Sequence, residues 1–350
     1  MRIVNGYVDF MRGSEHSLSG FLPGVFPLSG VDDGDSGLSE LDRALIRALQ
    51  VDGRQTFAAM SRDLDVPEKT IRRRVNQLLA DRVIQITTVT DPAILGYRVA
   101  ALVGLSSDGR RGIRPLLKSI TELAAVDYAV ITTGRYDALV EVLCRDMTEL
   151  LSVCHESLAQ MPGVRGVEIF PYLQLHYQEP VWEAAQQKAA NGVTDPRAPL
   201  DATDRQIIAE LSGDGRLAFS VIGEKLGMSE SQIRKRVTNL LNDRVIRIAA
   251  IANPRSLGFE TQVWVAIRCQ PGHSIEALAE TLTKIPSITY VIASAGRFDI
   301  FAEAVCRNTQ DVMRLIDAQI RTLTGVQSAE LFLCLDLYYR AVRPADPEPA

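Results

Sequence analysis

Two stretches of this chain, 162 residues apart, repeat one pattern of apolar and polar positions. In the first, Leu41, Leu45, Ala48 and Leu49 fall on one helix face, and Ser39 with Asp42 three places on signals the start of that helix. A second helix follows Thr56 and ends near Leu64. A tight turn comes next, at Asp65 in one stretch and Gly227 in the other, both tolerant of positive φ. A third helix begins at Pro67 or Ser229, residue types suited to a helix start. The period then shortens to two. Residues 83–89 and 245–251 read as strands of a wing, closed by Asp91-Pro92 and Asn253-Pro254.

Beyond the wing the pattern alternates: strand 98–105, helix 112–124, strands 127–132 and 138–144, helix 148–161, strand 164–177. That βαββαβ order is the ferredoxin-like plan. The offset of 162 holds at Asp52-Gly53-Arg54 and Asp214-Gly215-Arg216, at Gly134-Arg135 and Gly296-Arg297, and at Gly163 and Gly325, so the repeats align without a gap. The predicted fold class is α+β: two tandem repeats, each a winged helix-turn-helix followed by a ferredoxin-like domain. The expected boundaries are a disordered tail at 1–38, a first head at 39–92, a first ferredoxin-like domain at 93–178, a linker at 179–200, a second head at 201–254, a second ferredoxin-like domain at 255–341 and a tail at 342–350.

Charge changes this picture more than composition does. The net charge is −5, yet residues 67–82 carry Lys69, Arg72, Arg73, Arg74 and Arg82 against Glu68 and Asp81. Residues 229–244 carry Arg234, Lys235, Arg236 and Arg244 against Glu230 and Asp243. A cationic helix in an acidic chain points to a polyanionic partner, because the field near a patch depends on local charges. Turning the third helix by about 100° per residue puts Ile71, Val75 and Leu78 on the buried face. Lys69, Thr70, Arg73, Asn76 and Gln77 fall opposite, with Arg72 on the flank. The second repeat sets Ser231, Gln232, Lys235, Thr238 and Asn239 on the same exposed face. Arginine and lysine suit guanine and phosphate, while asparagine and glutamine suit adenine, so double-stranded DNA is the expected partner. The DNA-binding set is Lys69, Thr70, Arg72, Arg73, Arg74, Asn76 and Gln77, with Ser231, Gln232, Arg234, Lys235, Arg236 and Thr238. The bland alternative is a solvated helix face, and two copies of the same cationic helix weigh against it.

Other chemistry has little support. His16, His155, His176 and His273 form no repeated pair and share no triad or metal spacing, so no catalysis, metal or cofactor is expected. The five cysteines are an odd number with no C-x-x-C pair, so neither a disulfide framework nor a zinc site is implied, and a reducing cytoplasm fits. No apolar run is long enough to span a membrane. Cys144 and Cys306 match in position and read as buried apolar residues. Glu141 and Glu303, on the same strands with opposite parity, read as surface or dimer-interface residues.

Taken together, Leu41-Asp42-Arg43, Asp52-Gly53-Arg54, Val75-x-x-Leu78, Val83-Ile84, Leu95-Gly96 and Gly134-Arg135-Tyr136-Asp137, with their counterparts through Gly296-Arg297-Phe298-Asp299, resemble the leucine-responsive/AsnC family of regulators. The resemblance covers about 41–177 and 203–339 and implies a tandem fusion of two family units. It implies ferredoxin-like (RAM-type) domains that dimerise and sense small molecules, often amino acids. Family members carry one repeat and form dimers or octamers, so two repeats imply a pseudo-dimer within one chain, with further homo-oligomers open. The resemblance also places an effector near the loop after the second strand of each ferredoxin-like domain. There Gly134 and Gly296 would let a ligand approach the backbone, Arg135 and Arg297 would hold a carboxylate, and Asp137 and Asp299 an ammonium. The alternative is a plain hairpin turn with an exposed arginine. Two other readings remain: a sirohaem-decarboxylase-like enzyme on the same fold, and an amino-acid sensor that does not touch DNA.

Overall fold

The computed structural model describes residues 37–177 and 200–339, except Asp91, Ala93, Arg111 and Arg244. The expected tails and linker therefore lie almost wholly outside the described residues. The first head contains α1 (Glu40–Val51), α2 (Phe57–Leu64) and α3 (Glu68–Ala80), followed by β1 (Ile84–Val89). Its ferredoxin-like part runs β2 (Val99–Ser107), α4 (Ile113–Thr121), β3 (Val126–Thr132), β4 (Ala138–Cys144), α5 (Met147–Ser152) and β5 (Val164–Tyr177). The second repeat follows the same order: α6 (Ala202–Gly213), α7 (Phe219–Leu226), α8 (Glu230–Asn242), β6 (Arg247–Ala252), β7 (Thr261–Cys269), α9 (Ile275–Leu282), β8 (Ile288–Ser294), β9 (Ile300–Cys306), α10 (Thr309–Arg314) and β10 (Val326–Tyr339).

Local signals account for most helix ends. Ser39 and Asp42 form the expected capping box, Thr56 caps α2 through its side chain, and Asp65 and Gly227 sit at φ 51 and 65. Where a single helix was expected over 148–161, α5 gives way to a wider π turn at Val153–Leu158. That turn still presents Cys154 and Leu158 to the sheet, and the same turn recurs at Leu315–Ile320.

The wing differs from expectation. Each head supplies one strand, and that strand finds its partner in the other head: β1 pairs antiparallel with β6, from Ile84 opposite Ala252 to Val89 opposite Arg247. The physical reason is burial. Ile84, Ile86, Ile248 and Ala250 belong to one apolar core that also takes Leu45, Leu49 and Val75 from the first head and Ile208, Leu211 and Val237 from the second. The two heads are halves of a single core, so their strands meet at its centre.

The ferredoxin-like sheets also join. Each has the order β3-β4-β2-β5 or β8-β9-β7-β10, and together they close an eight-stranded barrel. The fourteen-residue strands β5 and β10 make this possible. The first part of β5, to Pro171, pairs with β2, and the rest, from Tyr172 on and with a bulge at Leu173, pairs with β8; β10 does the same with β7 and β3. Strands β3, β4 and β9 are buried along their whole length because helices cover one face and the opposite sheet covers the other.

The barrel interior is aromatic and unequal. Tyr128, Tyr136, Phe170, Trp264, Tyr290, Phe298, Phe301 and Phe332 fill it, and the first repeat has Leu102 and Leu139 where the second has Trp264 and Phe301. Glu141 and Glu303 also lie here. Of the two roles the sequence left open for them, the interface between repeats is the one they occupy, since both are buried. The hydroxyls of Tyr172 and Tyr290 donate to Glu141 at 2.7 and 2.9 Å. Glu303 accepts from Tyr128 at 2.8 Å and from Gln262 at 2.5 Å. Burial pushes both carboxyls above their ordinary range, Glu303 to about 7.

Candidate nucleic-acid interface

The core-facing stripe of α3, Ile71, Val75 and Leu78, and that of α8, Ile233, Val237 and Leu240, fix which side of each helix meets solvent. Lys69, Arg72, Arg73, Asn76 and Gln77 are exposed on α3, and Ser231, Gln232, Arg234, Lys235, Thr238 and Asn239 on α8. Thr70 is half-buried.

Two arginines assigned to DNA from the sequence do something else. Arg74 donates from Nε to Oδ1 of Asp42 at 2.8 Å and from its second guanidinium nitrogen to Oδ2. Asp42 is fully buried, and although burial raises its pKa, the bonds from Arg74 and Ser39 outweigh that and hold it below the usual carboxylate value. Arg236 likewise reaches Asp201 at 2.7 Å and Asp204 at 2.8 Å on the first turn of α6 and the residue before it. Both arginines tie the third helix of a head to its first; Asp42 is buried, and a buried carboxylate needs a cation, whereas Asp201 and Asp204 are partly exposed. The sequence reading had grouped both with the DNA-binding residues by charge and position on the helix.

Other members of the set are partly engaged within their own helix. Arg72 pairs with Glu68 at 2.9 Å and Arg234 with Glu230, one turn back in each case. Such exposed pairs are worth about 0.3–0.5 kcal/mol and yield readily to phosphate. Gln232 completes the capping box of Ser229, which turns its side chain toward the helix start. Gln77 donates to Asp81 at 2.6 Å, and Thr238 donates back to the Arg234 carbonyl at 2.8 Å. Lys69, Arg73, Asn76 and Lys235 complete the exposed face.

Sequence reasoning used Asp-Gly-Arg as an alignment landmark and a family motif and gave its arginine no role. In the structure Arg54 donates to the carbonyls of Gly215 at 2.8 Å and Leu217 at 3.0 Å, in the opposite head. Arg216 donates to the carbonyls of Gly53 at 2.7 Å and Gln55. The duplicated motif was the available signal; its reach across the repeats was not legible locally.

The effector loops also cross between repeats. Arg135 pairs with Glu330 at 3.2 Å and Arg297 with Glu168 at 2.9 Å. Glu168 additionally accepts the Tyr136 hydroxyl at 2.6 Å, a bond that Phe298 does not supply at the equivalent place beside Glu330. Gly134 (φ 101) lies against Leu331 and Phe332, and Gly296 (φ 128) against Ile169 and Phe170. Asp137 and Asp299 turn away from these arginines: each accepts a strand N–H at 2.7 Å, from Ser107 and Cys269 respectively. They hold the hairpin in place, so the arginine and aspartate of one loop do not converge.

Residues 38–79 and 200–241 match the AsnC-type helix-turn-helix domain, and residues 98–182 and 262–343 match the Lrp/AsnC ligand binding domain. The chain is 35% identical over 132 residues to an HTH-type transcriptional regulator of Pyrococcus abyssi, spanning 83% of that protein and 37% of this one. The chain belongs to the Lrp/AsnC family. It is 29% identical over 140 residues to the regulator FL11 of Pyrococcus horikoshii, covering 91% of FL11 and 40% of this chain. Each relative thus matches about one repeat, consistent with a tandem pair of family units. A crystal structure of the siroheme decarboxylase NirDL shares the fold over 87% of this chain and 93% of its own, with TM-score 0.60 and 14% identity. Among the described residues no helix is long and apolar enough to cross a membrane.

Proposed function

We propose that this chain is a sequence-specific DNA-binding transcription regulator of the Lrp/AsnC type in which one polypeptide supplies both reading heads. One observation carries the reading: α3 and α8 expose matching cationic and amide-bearing faces on two heads that share one core and one two-stranded sheet. Lys69, Arg73 and Asn76 face DNA in one head, Ser231, Lys235 and Thr238 in the other, with Arg72 and Arg234 on the flanks. The faces differ, so the two half-sites are similar but not identical, about one helical turn apart or a multiple of it.

A small effector, an amino acid by family resemblance, acts at the loops around Gly134-Arg135 and Gly296-Arg297. Its carboxylate competes with Glu330 or Glu168 for the arginine and loosens a link between repeats. Exposed Leu151 and Met313, and Leu173 and Leu335, are equivalent pairs that give homo-oligomers a surface. The enzyme alternative draws on the fold shared with NirDL, but aromatic side chains pack the barrel interior here and His155 and His273 are exposed.

Selection from a randomised duplex pool tests the DNA reading. Wild type recovers a two-part site, Arg72→Ala/Arg73→Ala blurs one half, and Arg234→Ala/Lys235→Ala blurs the other. No enrichment at about 0.1 M salt, where basic heads still hold phosphate, refutes it.

A further inference from the structure

We propose that Arg54 and Arg216 lock the two heads at one separation and angle, so that the chain selects DNA by the spacing of its half-sites as well as by their bases. The inference rests on the DNA-binding reading and adds a positioning role that lies outside both reading helices.

Three observations converge. The contacts are reciprocal and bidentate: each guanidinium leaves its own head and donates to two backbone carbonyls of the other, Arg54 to Gly215 and Leu217, Arg216 to Gly53 and Gln55. The turns they hold are themselves docked on the central ladder, with Gly53 N–H donating to Ile248 O at 2.8 Å and Gly215 N–H to Ile86 O at 2.9 Å. The clamp also touches the reading helices. Phe219 carries Arg54 at 4.1 Å and Arg234 at 5.2 Å from its ring centre, and Phe57 carries Arg216 at 4.9 Å and Arg72 at 5.1 Å. Each ring therefore joins a clamp arginine from one head to a flank arginine of the other head's reading helix.

The arrangement gathers like charges. Burial, then the positive charges of Arg216 and Arg234, push the Arg54 guanidinium below its ordinary range. An apolar contact would join two heads without that cost. A planar fork that satisfies two carbonyls at once fixes direction as well as distance, which an ammonium or an apolar side chain does not. Rigid spacing matters because two linked heads gain about 10²–10⁴-fold in affinity only when both engage together.

The test compares wild type, Arg54→Ala/Arg216→Ala and Arg54→Lys/Arg216→Lys on duplexes bearing the selected half-sites, with inserts of up to about half a turn, roughly 5 bp. A single half-site serves as control. Wild type falls to the single-site level at the half-turn insert, about a hundredfold or more. The alanine variant keeps its single-site affinity and loses less than about tenfold over the same series, with the lysine variant in between. Should the alanine variant fail to fold, the lysine variant carries the comparison. As a DNA-free readout, the amides of Gly53 and Gly215 exchange faster with solvent in the variants. Equal spacing profiles in wild type and variants overturn the proposal, as does a uniform loss at every spacing and on the single site, which marks a phosphate contact. Wild type that binds no duplex refutes the DNA reading itself.

Discussion

Thr87 stands directly opposite Ala249, its own counterpart 162 residues later. That self-pairing places the pseudo-two-fold axis of the heads between these two residues. The flanking pairs mirror each other about it: Ile86 faces Ala250 and Thr88 faces Ile248. The chemistry on the two sides is unequal, since Thr87 donates to the Ser212 carbonyl at 2.8 Å and Thr88 meets the Ser212 hydroxyl at 2.6 Å. Alanines occupy the equivalent places in the second repeat.

The turns that dock on this ladder leave no room for a methyl group. A Cβ at Gly53 would lie 2.9 Å from Ile86 Cγ2 and 3.0 Å from the Ala249 backbone nitrogen, and one at Gly215 would lie 2.9 Å from Ile248 and Ile86. Glycine to alanine at an ordinary φ favours folding by about 0.4–1 kcal/mol through the unfolded chain. Backbone contact at this range reverses the sign, and Gly53→Ala and Gly215→Ala each lose about 1–3 kcal/mol. Urea midpoints at constant m decide it; unchanged midpoints would mean that the ladder gives way to the methyl.

Neighbouring arginines on α3 separate structure from recognition. Arg74→Ala leaves the buried Asp42 carboxylate without its cation and costs about 2–3 kcal/mol of stability. Arg73→Ala touches nothing buried, so its stability stays within about 0.5 kcal/mol. Its effect is on DNA, where losing one phosphate contact lowers the salt slope of binding by about 1. Thermal unfolding and a salt titration on the same two proteins are sufficient, and an Arg74→Ala protein of wild-type stability contradicts the structural assignment.

Local chemistry explains what was legible beforehand. Ser39, Thr56, Asp65 and Gly227 speak to their own backbone, and β4 and β5 keep the limits of their apolar runs, so helix starts and strand limits emerged from single segments. The exposed face of α3 followed from Ile71, Val75 and Leu78. Cross-repeat relations were not legible. Nothing near residues 84–89 says that their partner is 247–252, and nothing near Arg54 says that its acceptors are carbonyls 161 and 163 residues away. Arg74 shows the same limit: helical phase puts it on the flank, and only the burial of Asp42 makes it structural. The loop aspartates were misjudged in role, because a carboxylate that could meet an ammonium serves equally to receive a strand N–H.

Glu303 gives the fold a dependence on pH with a definite sign. It faces Tyr128, Gln262 and Thr289, and the Glu141 carboxylate lies near enough to raise it further. Burial is the largest cause; with the Glu141 charge it outweighs the hydrogen bonds from Tyr128, Gln262 and Thr289, which pull the other way, and lifts the pKa from 4.5 to about 7. The folded protein holds this proton more tightly than the unfolded chain does. The contribution to stability is therefore full below about pH 4.5 and is lost as pH rises through about 7. At about 1.4 kcal/mol per unit the loss is roughly 3 kcal/mol. Asp42, held below the usual carboxylate value, acts with the opposite sign and in a separate window, losing its contribution only below its unfolded value of 3.8. Glu303→Gln keeps the shape and removes the titration. Denaturant unfolding at pH 5 and pH 8 then shows the variant gaining on wild type at the higher pH by an amount of that order. A constant difference between the two proteins across this range means that Glu303 is already ionised in the barrel at pH 5, with its tyrosine and glutamine donors sufficient to hold the charge.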